Sequence, residues 1–260
     1  MNRLKSRNVF LFSAAIAALV VPALFMACKP KPAPQTATAA RPAQLTARQQ
    51  QMLNDFGNLA RFRQANLKLG PPAPGENRVV FMGDSITQGW DLEKFFPGKP
   101  YINRGISGQT STQMLLRFRQ DVIDLKPKVV VILAGTNDIA ENTGPMPPSQ
   151  TEGDIVSMAQ LGRANGIRVV LCSVLPSVRF PWHPQVANVA SKIVEVNRWL
   201  KAYAATHGYV YVDYYSAMKD SDGGLPPNLS RDGVHPLPAG FAIMSPLAQA
   251  GIDKALKKKD

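Results

Sequence analysis

Residues 78–87 read Arg78-Val79-Val80-Phe81-Met82-Gly83-Asp84-Ser85-Ile86-Thr87. A short β-branched and apolar run, Arg78–Met82, stops at a glycine and gives way to small polar residues. Such a run, bounded by turn signals, reads as a strand. The pattern recurs along the chain. Tyr101–Asn103 reads as a short second strand, Val129–Ala134 is continuously apolar, and Arg168–Val174 and Tyr209–Val212 follow. Helical periods separate these runs. Ser111–Leu125 places Met114, Leu115, Phe118, Val122 and Leu125 on one face and stops at Lys126-Pro127. Residues 150–165 close at Asn165-Gly166, Val186–Thr206 ends at His207-Gly208, and Ala239–Leu256 is the last helix. Strands alternating with helices predict an α/β fold: a right-handed, doubly wound three-layer α/β/α sandwich on a five-stranded parallel sheet. Sites in such sheets lie outside the carboxyl ends of the strands.

The residues after the strands therefore matter most. Gly83-Asp84-Ser85 follows the first, Asn103-Arg104-Gly105-Ile106-Ser107-Gly108 the second, and Gly135-Thr136-Asn137-Asp138 the third. Asp232-Gly233-Val234-His235-Pro236 stands beyond the fifth strand, before the last helix. Each group alone reads as a turn or a helix cap. All four converging on one sheet edge are difficult to explain as independent turns.

Together these motifs resemble the SGNH, or GDSL, hydrolase family, whose initials match Ser85, Gly108, Asn137 and His235 over residues 76–256. The resemblance implies the flavodoxin-like sandwich already argued, and hydrolysis of esters or thioesters without a cofactor. It assigns Ser85 as nucleophile, His235 as general base and acid, and Asp232 as the acid of the triad. The oxyanion hole falls to the backbone amides of Ser85 and Gly108 and the side-chain amide of Asn137. The chemistry supports these roles independently. A serine hydroxyl needs a base, an imidazole has a suitable pKa, and a carboxylate fixes its tautomer. Fixed donors then stabilise the charge on the former carbonyl oxygen.

Other candidates are weaker. Trp90, Trp182 and His183 are candidates for lining a substrate pocket, although lone aromatics more often pack in a core. Asp84 and Asp138 read as holding turns. A metal site on those two carboxylates would leave Ser85, Gly108 and Asn137 unexplained, so no metal is expected. Cys172, inside an apolar strand, reads as an inert core thiol.

The 260 residues are 45% hydrophobic and 18% charged, an ordinary globular composition. The net charge of +12 collects at the termini and leaves +3 for residues 45–253. No basic face interleaved with aromatics points to nucleic acid. Residues 1–27 combine a basic head with an apolar run and read as a signal peptide. Ala27-Cys28 at its end resembles a bacterial lipoprotein box, with Phe25 where Leu is usual, and predicts lipidation of Cys28. Plain secretion is the alternative. Residues 28–45 form a Pro- and Ala-rich linker. Residues 46–75 form a helical extension: one helix over 46–69, capped by Thr46, with Met52, Leu53, Phe56, Leu59, Ala60 and Phe62 on its apolar stripe. Residues 76–260 are the hydrolase domain.

The expected function is a serine esterase working through an acyl-enzyme on short acyl groups, such as acetyl on carbohydrate or in small esters. Its expected partners are a small-molecule or glycan ester and, through the lipid anchor, the membrane of the bacterial envelope, facing the periplasm. A lysophospholipase, a thioesterase and a non-catalytic envelope binding module are the alternatives.

Overall fold

The computed structural model describes residues 44–258. The signal peptide, Cys28 and nearly all of the linker lie outside the described residues. In chain order the elements are α1 (Ala47–Asn54), α2 (Arg63–Leu69), β1 (Val79–Gly83), α3 (Ser85–Gln88), α4 (Leu92–Phe95), β2 (Tyr101–Gly105), α5 (Ser111–Asp121), β3 (Val129–Leu133) and α6 (Thr136–Ile139). They continue with α7 (Pro148–Ala164), β4 (Arg168–Cys172), α8 (Val189–His207), β5 (Val210–Val212), α9 (Tyr214–Met218) and α10 (Pro238–Lys257).

The five strands pair in parallel in the order β2-β1-β3-β4-β5. Strands β1 and β3 are buried along their whole length, as their unbroken apolar sequence requires. Side chains alternate between the faces of the sheet. Val80, Met82, Val130 and Ile132 pack with Met114, Phe118, Met158 and Ile193 from α5, α7 and α8. Val79, Phe81, Val131 and Leu133 pack with Tyr214, Phe241, Met244 and Ile252 from α9 and α10. The expected three-layer sandwich is therefore present.

Two details differ from the sequence reading. The helix expected over 46–69 is two helices. Its start is as expected, with Thr46 and Gln49 forming a capping box. Asp55 then ends α1, and its carboxylate accepts the N–H groups of Leu59 and Ala60, which bends the chain into turns. Asn58 takes a left-handed φ of 53° within them. Leu53, assigned to the apolar stripe, is 71% exposed. The helix expected over Ser111–Leu125 ends at Asp121, and a separate 3₁₀ turn covers Ile123–Leu125.

Candidate active site

Strands β1, β2 and β3 end in register, with Gly83 beside Gly105 on one side and Leu133 on the other. The chain turns from β1 directly into α3. Asp84 caps α3 by accepting the N–H of Ile86 at 2.9 Å, which leaves Ser85 half-buried at the edge. Close packing explains the glycine at the end of β2. A Cβ on Gly105 would run into the backbone N of Gln88. The neighbouring Asn103 side chain donates to the carbonyls of Thr87 and Trp90 at 2.6 and 3.0 Å, fixing the far end of the turn.

His235 arrives from the loop before α10. Its Nε2 lies 2.9 Å from Ser85 Oγ, and its Nδ1 lies 2.6 Å from Asp232 Oδ2. A carboxylate beside Nδ1 places the proton there and leaves Nε2 as an acceptor facing the serine. The other Asp232 oxygen accepts the N–H groups of Val234 and His235 at 3.0 and 2.8 Å and the hydroxyl of Ser230 at 3.0 Å. Partial burial works against the charge on Asp232. The donors from His235, backbone and ring, and from Val234 outweigh it and hold the carboxyl well below the usual range. Ser85, 150 residues away in sequence, thus joins the Asp232–His235 pair in one line of hydrogen bonds.

The oxyanion candidates are placed by what they leave free. From Gly105 to Ser111 every backbone N–H but one donates to a partner. Gly105 donates to Asn103, Ile106 to Gly83, Ser107 to Gln88, Gln109 to Ile106, Thr110 to Gln113 and Ser111 to Asp138. The exception is Gly108, at φ 76°. The N–H of Ser85 likewise has no partner among the described residues. Two backbone amides with no partner among the described residues, one on Ser85 and one on Gly108, are the kind of donor that a developing oxyanion needs. Asn137 is buried at the same edge, but its Nδ2 donates to Asp84 Oδ2 at 3.1 Å and to the Gln109 carbonyl at 3.0 Å. In this arrangement its amide ties together the loops that carry Ser85 and Gly108.

The remaining candidates separate. Trp182 is at the site: its ring lies 5.8 Å from that of His235, and its Nε1 donates to Asn142 Oδ1 at 2.8 Å. His183 is turned away, with Nδ1 2.6 Å from the Ala140 carbonyl, and packs that loop down. Trp90 is not a pocket residue. It is 2% exposed, stacks on Phe241, meets Phe81 edge-on, and donates to Ser245. The apolar face below α3 and α4 claims its ring. Asp84 and Asp138 have the holding roles expected of them. Burial pushes Asp84 up to about 7 and raises Asp138 as well, although Asp138 accepts from the N–H and hydroxyl of Ser111 at the start of α5. Cys172 is buried in β4, where desolvation pushes its thiol up to about 12.

Sequence reasoning missed three supporting residues. Asn142 donates to the Gly108 carbonyl at 3.1 Å and to Asn137 Oδ1 at 2.8 Å. Arg117 is fully buried and donates to Gln109 Oε1 at 2.6 Å, to Asp121 at 3.1 Å and to the Gly83 carbonyl at 3.1 Å. Gln109 therefore links that guanidinium to the loop that carries Gly108. The available signal was a charged residue on the apolar side of an otherwise amphipathic helix.

The chain is similar to known proteins. The chain is 47% identical to a GDSL-like lipase from Bacteroides thetaiotaomicron VPI-5482, with a TM-score of 0.75, covering 77% of this chain and 100% of that one. It is 29% identical over 173 residues to Esterase TesA of Pseudomonas aeruginosa, covering 62% of this chain and 77% of the esterase. It is also 32% identical over 123 residues to an uncharacterized lipoprotein, YqeF, of Bacillus subtilis, but that match spans 40% of this chain and only 51% of the lipoprotein. The model of the GDSL-like lipase/acylhydrolase family matches residues 81–243, so the chain belongs to that family, the one its four strand-end motifs resemble.

Proposed function

We propose that this chain is a serine esterase that cleaves carboxylic esters through an acyl-enzyme on Ser85. The observation that carries the reading is the unbroken line from Ser85 through His235 to Asp232, at 2.9 and 2.6 Å. His235 Nε2 takes the proton as Ser85 Oγ attacks the ester carbonyl. The negative oxygen of the tetrahedral intermediate is received by the N–H groups of Ser85 and Gly108. Collapse breaks the bond to the alcohol, which leaves with the proton held on His235. Water then attacks the acyl carbon as it gives a proton to His235, the bond to Ser85 Oγ breaks, and the proton passes from His235 to the serine as the acid leaves. The acyl group is short, and acetyl on a carbohydrate or small alcohol suits the site. Ser85, His235 and Asp232 lie at an open rim, the last two with side chains about 40% exposed, which suits a small acyl group.

A fluorophosphonate probe tests the reading. Mass mapping is expected to find the adduct on Ser85, and Ser85→Ala to abolish it. A folded protein that takes no label sinks the proposal, and faster turnover of long-chain than of acetyl esters sinks the choice of acyl group. We place the protein in the bacterial envelope, held by lipid on Cys28. The lipoprotein relative supports this, as does the cysteine at the end of the apolar run. An intact-mass measurement of the cell-derived protein is expected to show an acylated Cys28 at the amino terminus.

A further inference from the structure

The segment that carries α1 and α2 combines two properties that the rest of the folded chain keeps apart. The first is charge. Arg48, Arg61, Arg63 and Lys68 stand against Asp55 alone, so residues 45–70 carry +3. Residues 71–253 hold sixteen bases and sixteen acids and are neutral. Arg61, Arg63 and Lys68 are exposed and have no acidic partner among the described residues. The second is apolar exposure. Of nine exposed large apolar side chains among the described residues, five lie here: Leu45, Leu53, Phe56, Leu67 and Leu69. A sixth, Leu116 of α5, adjoins them, since a Cβ on Gly57 would lie 3.1 Å from its own. Leu53 and Leu67 are 71% and 73% exposed, and α2 has no buried residue. A seven-residue helix without a buried face does not hold itself together. Polar groups hold this one. Asn66 donates to Asp121 at 2.7 Å and accepts from Arg104 at 2.7 and 3.0 Å, while Gln113 and Gln120 of α5 donate to the Phe56 and Leu59 carbonyls at 2.8 and 2.6 Å. The segment is thus fixed to the body through amides while Leu53 and Leu67 stay in water, the reverse of an ordinary amphipathic helix.

We propose that residues 45–70, with Leu116, form a surface that docks on an anionic lipid bilayer. Leu53, Phe56, Leu67 and Leu116 enter the interface, and Arg61, Arg63 and Lys68 meet the lipid phosphates. Charge decides against the other covers. A two-fold pairing of this surface with itself would set +3 against +3. The preceding linker carries Lys29, Lys31 and Arg41 and no acid, so it does not complement the surface either. A nucleic acid or an acidic polysaccharide would satisfy the bases and leave the leucines in water. An anionic bilayer interface takes both, as it does for basic amphipathic segments that lie in its plane. The position in the chain agrees, because the segment follows directly on the linker that leads from the apolar run ending at Ala27. The contact needs neither an acyl group on Cys28 nor a reactive Ser85. Since its hydrogen bonds to α5 make the segment part of the body, docking orients the body on the bilayer, which a flexible tether alone does not do.

Photo-crosslinking to lipid tests the surface. The full chain, purified as cells make it, is mixed with vesicles of phosphatidylcholine or of an equal mixture of phosphatidylcholine and phosphatidylglycerol, each with a trace of photoreactive phospholipid. Mass mapping is expected to find adducts within residues 45–70 and at Leu116 on the anionic vesicles and few on the neutral ones. Two variants separate the contributions: Arg61→Gln with Arg63→Gln and Lys68→Gln, and Leu53→Ser with Leu67→Ser. These side chains are exposed, so the Tm of both variants is expected to match wild type. The charge variant is expected to lose at least about tenfold in adducts over 45–70, because each base near an anionic surface contributes about fivefold in binding. The leucine variant is expected to lose a similar share, and adducts within residues 1–44 serve as the internal reference in both. Adducts confined to residues 1–44 or to Lys254–Lys258 overturn the proposal, as do equal yields over 45–70 on the two kinds of vesicle or in all three proteins. A chain that sediments as a dimer without vesicles, and as a monomer once Leu53 and Leu67 are replaced, also overturns it, since the surface is then an interface between copies.

Discussion

At the residue scale, the site is a problem in placing one proton. Ser85 is inert until something accepts its hydrogen, and His235 accepts only from the correct tautomer. Asp232 sets that tautomer, and four donated hydrogen bonds fix its own orientation, one each from the Ser230 hydroxyl, the Val234 N–H, the His235 N–H and the imidazole. Asp232→Asn keeps the size and can still accept the backbone bonds, but it no longer favours the Nδ1–H form. The expected result is a fall in kcat of about 10⁴ with an unchanged circular dichroism spectrum, read with 4-nitrophenyl acetate. A loss of under tenfold contradicts this role. That Ser85, His235 and Asp232 meet at the strand ends was legible in the sequence, because their types and order leave few other jobs there. Asn142 was not, because one asparagine in a loop carries no signal until its partners, Gly108 and Asn137, are seen in space.

At the scale of elements, Ser85 is held by packing that sequence periodicity conveys only in part. The strands and the long helices were legible within a few residues, since hydrophobic runs and stripes report burial directly. The helices α3, α4, α6 and α9 have four or five residues each, too few for a period to emerge. The turn after α3 also carries the misread residue. Trp90 was a candidate for lining a substrate pocket, but its ring packs in the layer between the sheet and α10. Its ring centroids lie 5.5 Å from both Phe81 and Phe241. Trp90→Ala is therefore a stability variant. Loss of a buried aromatic costs about 3–5 kcal/mol, so a lowered Tm is expected with KM on a small ester unchanged. Trp182→Ala is expected to behave inversely, with little change in Tm and a raised KM, because its ring is 37% exposed beside His235. Thermal melts and kinetics on the two variants check both halves of the contrast.

For the whole molecule, the site's construction places two carboxyls where water cannot reach. Asp84 and Asp138 are each 2% exposed or less, and desolvation raises both, Asp84 to about 7. A carboxyl raised in the folded state binds its proton over a range in which the unfolded chain has lost it. Folding is then most favoured at low pH and loses stability as pH rises from the ordinary carboxylate range, about 4, to the folded value of about 7. Asp232 acts with the opposite sign. Its lowered pKa contributes stability above the ordinary carboxylate range, and that contribution is lost as the solution is acidified below it. The two effects meet near pH 5, so Tm is expected to peak on the acid side of neutrality and to decline toward pH 8. Asp84→Asn isolates the cause. The amide oxygen still accepts the N–H of Ile86, position 84 buries no charge at any pH, and the lost bond from Asn137 Nδ2 is a cost that does not vary with pH. The variant's Tm is expected to decline less than the wild type's between pH 5 and pH 8, with the gap between them widening as pH rises. Parallel Tm curves for the two proteins across that range would show that Asp84 is not the group responsible.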